Sequence, residues 1–124
     1  MFTSSKKPQE GTFLWLLKIV AGLLIIIILG IHFYVNHLVA PGGLLSYSDV
    51  LAYYQNPIIP IMEIIFLVFV VTHALLGLRS IVLDLNPSQV VLRWINIGFG
   101  LIGVFAIAYG TWLVLFVVAK GSGA

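Results

Sequence analysis

The sequence predicts an all-α membrane protein of three transmembrane helices, and three observations carry that prediction. Of the 124 residues, 61% are hydrophobic and only 8% are charged, which is outside the range of soluble globular domains. The apolar residues gather into three stretches, about 13–39, 58–83 and 94–119. Each is long enough to cross a hydrocarbon layer of ~30 Å as a helix. The cations are also distributed unevenly. Lys6, Lys7, Lys18, Arg79 and Arg93 fall on one side of a three-span topology and only Lys120 on the other. The positive-inside rule then places the N-terminus and the 85–92 loop in the cytoplasm. Strand spans would need short alternating segments, and none is visible.

Met1–Gly11 is polar and reads as a cytoplasmic tail or docking arm. The first span carries Lys18 as its only charge, and it is far longer than a signal-peptide core. Its end, Asn36-His37-Leu38-Val39, has no small-x-small cleavage site, so it is expected to stay in the mature protein. Pro41-Gly42-Gly43 stops it outside the membrane. Ser48-Asp49 is expected to cap a short surface helix through about Tyr54, with Tyr47, Tyr53 and Tyr54 at headgroup level. Asn56-Pro57 and Pro60 open the second span, because proline is tolerated in a first helical turn. Asn86-Pro87-Ser88 turns the chain into the third span, where Asn96, Gly100, Gly103, Ala106 and Gly110 form a small-residue stripe suited to close helix packing and no chemistry. No repeat or boundary divides the chain, so residues 1–124 form one transmembrane domain.

The polar residues inside the spans are where function is to be sought, because each must be paired or must bind something. His73 stands in the second span with Gly77, Ser80 and Asp84 within about 40° of it on a helix, and Arg79 about 120° away. Gly77 removes a side chain one turn from the imidazole, where a flat macrocycle would need room. A haem held between helices is the simplest occupant, with His73 as axial ligand. His32, late in the first span, is expected ~9 Å from His73 in depth, too far to clamp the same porphyrin and suited to a second haem. His37 reads as an interfacial histidine bonded to water or a headgroup, although it could exchange roles with His32. Asn36 shares the face of His32 and could bond a propionate or a quinone. Glu63 is expected to hydrate at the interface, and Lys18 to snorkel or to reach a propionate or quinone. The chain has no cysteine, which excludes iron–sulfur ligation and covalent c-type haem attachment within it. The net charge of +2 follows the topology bias and does not suggest nucleic-acid binding.

The pattern His73-x-x-x-Gly77-x-Arg79-x-x-x-x-Asp84 in the second of three spans resembles the membrane-anchor subunits of succinate:quinone oxidoreductase, respiratory complex II. Trp15, Gly22 and His32 in the first span resemble the two-haem anchors of some prokaryotes. The resemblance implies a prokaryotic cytoplasmic membrane and a multi-subunit helix bundle holding one or two haems b. The partners it implies are a flavoprotein subunit, an iron–sulfur subunit and a second anchor, with quinone as substrate. His73 would ligate one haem and His32 a second. Arg79 would lie near the haem propionates or in the quinone pocket, and Asp84 near the quinone site. Leu85 stands where the smaller anchor type often has a quinone-binding tyrosine. Ser80 stands where the larger type often has histidine, which favours the smaller type. The chain would pass electrons from succinate oxidation to quinone without performing the dicarboxylate chemistry itself. Two other readings stay open: the cytochrome b subunit of another membrane oxidoreductase, and a haem-free structural subunit whose histidines only pack.

Overall fold

In the computed structural model, residues 10–123 are described. The N-terminal tail up to residue 9, with Lys6 and Lys7, lies outside the described residues. Helix α1 covers Thr12–Phe33, an apolar run without proline, and continues as a wider π-helical segment over Tyr34–Val39. There the Asn36 side-chain amide donates to the His32 carbonyl at 2.8 Å. A single 3₁₀ turn at Pro41–Gly43 follows, with Gly42 and Gly43 at φ 73° and 79°, a left-handed conformation that side chains resist. His37 Nδ1 donates to the Gly43 carbonyl at 3.0 Å, so this histidine fastens the turn.

Helix α2, Tyr47–Tyr53, is capped by Ser46 rather than by the expected Ser48. Asp49 sits at the third helical position and returns a bond to the Ser46 backbone, a reciprocal capping box that is closed only from position 46. Hydrogen bonds donated to the Asp49 carboxylate by the Ser46 hydroxyl and by the Ser46 backbone N–H hold that carboxyl below its ordinary pKa. Helix α3, Ile58–Asp84, starts on the Asn56 side chain, which accepts from the Ile58 N–H at 3.1 Å. Asn86 then takes φ 54°, tolerated by asparagine, and Ser88 caps α4 by accepting from Val91 N–H. With that cap, α4 runs Gln89–Gly121, beginning five residues before the expected Trp94. Residues 89–92, Gln89 among them, belong to its first turn instead of to the expected 85–92 loop, and Arg93 follows within the helix.

All three long helices, counting α1 with its π-helical extension, are long and apolar enough to cross a membrane. Helix α3 is central, packed along α1 on one side and α4 on the other. The expected small-residue stripe does part of this work. A Cβ on Gly103 would stand 2.9 Å from Leu75 Cδ1, and one on Gly110 would collide with Leu67. Gln55 ties α2 to the last turns of α4 through the Val118 carbonyl. Among the described residues, the only buried large or small hydrophobics besides glycine are Ala21, Ile59, Leu83 and Leu92. A water-soluble chain could not leave so much apolar surface bare, which agrees with helices that lie in a membrane.

Candidate functional site

His73 faces α1. Its Nδ1 lies 3.1 Å from the Lys18 carbonyl oxygen. A carbonyl can only accept, so Nδ1 is the donor, and in the neutral imidazole the lone pair is then on Nε2. Nε2 has no hydrogen-bond partner among the described residues. The ring lies against Gly22, where an added Cβ would come within 3.0 Å of His73 Cε1. Beside it runs an open groove of about 420 Å³ walled by apolar residues that include Ile19, Leu23 and Ile26. Gly77 leaves a notch on α3 in which a Cβ would meet nothing within 4 Å. An imidazole of fixed tautomer, a free ring nitrogen, an apolar slot and a notch one turn away together fit an axially ligated haem. No three His, Asp or Glu side chains converge as a metal cage among the described residues.

Ser80 lies on the same face as His73, as its spacing predicts, and it joins a compact polar network at the Lys18 end. The Lys18 ammonium donates to Ser80 Oγ and to Glu10 Oε2, both at 2.8 Å, while the Ser80 hydroxyl lies 2.9 Å from Glu10 Oε1. Lys18 is therefore an ion-paired clamp and not a snorkelling cation. Glu10 loses some hydration there, which alone would raise its pKa. The bonds from Lys18 and Ser80 and the charges of Lys18 and Arg79 outweigh this and hold it below the ordinary value.

Arg79 points to the opposite side of α3. Its Nε donates to Asn96 Oδ1 of α4 at 2.9 Å, and its Nη1 is buried without a partner among the described residues. The pair lines a second groove, of about 330 Å³, between α3 and α4. Arg79 therefore does not curl into the groove beside His73. Asn96 was expected only to pack, and it also accepts a hydrogen bond from Arg79. Asp84 ends α3 exposed, at the negative end of the helix dipole, and accepts no hydrogen bond among the described residues.

His32 is not brought to His73. Gly22 touches the His73 ring, and His32 lies ten residues further along the same helix, roughly 15 Å at 1.5 Å per residue. The ~9 Å expected from counting inward from Trp15 and Asp84 assumed that those two residues are level. In fact Ser80 already meets Glu10, so Asp84 lies beyond the start of α1. His32 Nε2 lies 3.4 Å from Glu63 Oε1, and its ring stacks on Phe66 at 5.7 Å between centroids. Glu63 is only 14% exposed, so it is paired across the α1–α3 interface and not hydrated at the surface as expected. The Tyr53 hydroxyl is buried nearby, beside Asn36, without a partner at hydrogen-bond geometry among the described residues. Burial, then the charge of Glu63, raises the pKa of Tyr53 and pushes that of Tyr54 up to about 12.

Comparison with known proteins decides the family. A family model described as succinate dehydrogenase/fumarate reductase transmembrane subunit matches residues 3–119. The chain belongs to this family. It is similar to the succinate dehydrogenase hydrophobic membrane anchor subunit of Thermoplasma acidophilum, 32% identical over 91% of this chain and 92% of that protein. It is also similar to the protein of the same description from Archaeoglobus fulgidus, 35% identical over 60% of this chain and 63% of that protein. Membership in the succinate dehydrogenase/fumarate reductase transmembrane family agrees with the resemblance drawn from the pattern around His73 and with the three spans.

One contributor to the site was not singled out from the sequence, and a second, Gly22, entered only through the resemblance and without its contact to His73. Glu10 carries no motif and is found only by folding the chain. Gly22 had a legible signal, since it lies four residues after Lys18 and so stands over that residue's carbonyl on a helix.

Proposed function

We propose that the whole chain acts as one hydrophobic membrane-anchor subunit of succinate dehydrogenase, with haem b held by His73 and a quinone site formed around Arg79. The observation that carries this reading is the His73 imidazole, whose Nδ1 is occupied by the Lys18 carbonyl while Nε2 stands free beside an apolar groove. In a bis-histidine site, haem b supplies one-electron storage and relay between the soluble subunits and quinone. The opposite ligand comes from a second anchor subunit, because this chain places no other imidazole at the height of His73. Lys18 and Ser80 form a polar rim at one end of the slot, where a propionate would have to displace the Glu10 carboxylate to be held.

Arg79 and Asn96 form the quinone-facing part. With Nε engaged, the guanidinium keeps Nη1 as an unused donor in the α3–α4 groove, suited to a quinone carbonyl oxygen. Asp84, exposed at the same end, stands near the mouth of that site. The flavoprotein and iron–sulfur subunits would dock at this end, on the cytoplasmic side of a prokaryotic membrane. The concentration of cations there and the archaeal source of the relatives support that placement. His32 is the candidate ligand of a second haem toward the other end, where it must exchange or share its partner Glu63.

A reduced-minus-oxidised spectrum of the purified complex tests the reading. A b-type α-band is expected, and His73→Ala should abolish the band of the haem at the Lys18 end while the four subunits still assemble. An intact complex with no such band would leave a haem-free structural anchor. Haem-to-protein stoichiometry checks His32: two haems in the wild type and one in His32→Ala are expected.

A further inference from the structure

The placement of His73 depends on an opening in the wall of α1. A helical side chain leans back over the turn before it, so the residue at position i covers the carbonyl of i−4. In α1 the residue that would cover the Lys18 carbonyl is Gly22, and it has no side chain. The carbonyl, already used in the helix ladder, thereby offers its second lone pair sideways to α3. The same missing Cβ makes room for the imidazole, whose Cε1 and Nδ1 would stand only 3.0 and 3.3 Å from it. The ring therefore meets the backbone of α1 at 3.1 Å instead of a side chain.

We propose that Gly22 is a positioning residue for haem ligation, which holds the Lys18 carbonyl open so that it anchors His73 Nδ1–H and fixes the plane and basicity of the ligand. The inference rests on the reading of His73 as an axial ligand. Its physical content is separate. An imidazole whose far N–H donates to a carbonyl is a stronger electron donor to iron, which favours the oxidised state, and its ring cannot rotate freely. No side chain can reproduce the contact, because the acceptor is main chain and its exposure depends on having nothing at position 22. Elsewhere on α1, Gly30 has no neighbour within 4 Å of an added Cβ and needs no such opening.

The test compares Gly22→Ala and Gly30→Ala in the intact membrane complex, by haem content, by redox titration and by electron paramagnetic resonance of the oxidised haem. With Gly22→Ala, haem should be retained. The reduction equilibrium should move about tenfold toward the reduced form, ~59 mV for one electron, and the g-values should shift as the ring turns. Gly30→Ala should match the wild type in all three. Deuterium-exchange ENDOR on the wild type gives a readout that needs no variant to assemble. A hydrogen-bonded exchangeable proton on the remote ligand nitrogen is expected. Gly22→Ala with wild-type potential and g-values, or a wild-type ligand without that proton, overturns the role of Gly22 while leaving His73 as a ligand. A wild-type complex without haem overturns both.

Discussion

Glu10 precedes the first helix, yet its carboxylate reaches Lys18 and the Ser80 hydroxyl of α3, so the start of the chain is fastened to the helix that carries His73. Because the folded pKa of Glu10 is lowered, its contribution is complete above the ordinary value of 4.5 and is lost as pH falls through the lowered one. Amide exchange over Gly11–Lys18 in the intact complex should therefore rise only in acid for the wild type. In Lys18→Met it should already be high at neutral pH. A second residue-level expectation concerns Asn86, held at φ 54°. Asn86→Gly should be nearly neutral, whereas Asn86→Val should destabilise by about 1–2 kcal/mol in thermal unfolding of the complex. At this scale the sequence was partly legible. His73 and its face could be read from spacing, because helical angle is a property of position alone. The partners of His32, Lys18 and Arg79 could not, because Glu63, Glu10 and Asn96 are brought to them only by the register between helices.

The elements were legible because their signals are strong: long apolar runs, Pro41-Gly42-Gly43, and Asn86-Pro87-Ser88. What was missed lies at their ends, where one capping side chain moves a boundary, as Ser46 and Ser88 show. Between elements, α4 is set against α3 by Gly103 and Gly110, which meet Leu75 and Leu67. Gly103→Leu should wedge these helices apart at a cost of about 1–3 kcal/mol. Since the Arg79–Asn96 bond spans the same pair of helices, quinone reductase activity should fall while the haem spectrum, which depends on the α1–α3 contact, persists. Loss of both together would mean that the two sites are not mechanically separate.

For the molecule as a whole, α3 separates the two candidate sites. One flank, against α1, carries His73 and His32, and the other, against α4, carries Arg79 and Asn96. Both flanks are open grooves among the described residues, and in the proposed function a second anchor subunit would close each. Expressed alone, the chain should be recovered in membranes with little or no haem, and co-expression with its partner anchor should restore the α-band. Haem at full stoichiometry in the lone chain would show that two copies suffice.

The π-helical segment at Tyr34–Val39 is a place where the backbone holds one residue more than an α-helix of the same length needs. That surplus gives the chain slack at a single level. Excising Leu38 should let the coil tighten into regular winding, with the shortened hairpin re-seating Gly43, while everything from Thr12 to Phe33 stays where it was. An equal excision at Ile26 would swing His32 by about 100° away from Glu63. Comparing the two deletions by their absorption spectra would reveal which stretch of the first span tolerates lost length and which keeps an angular address.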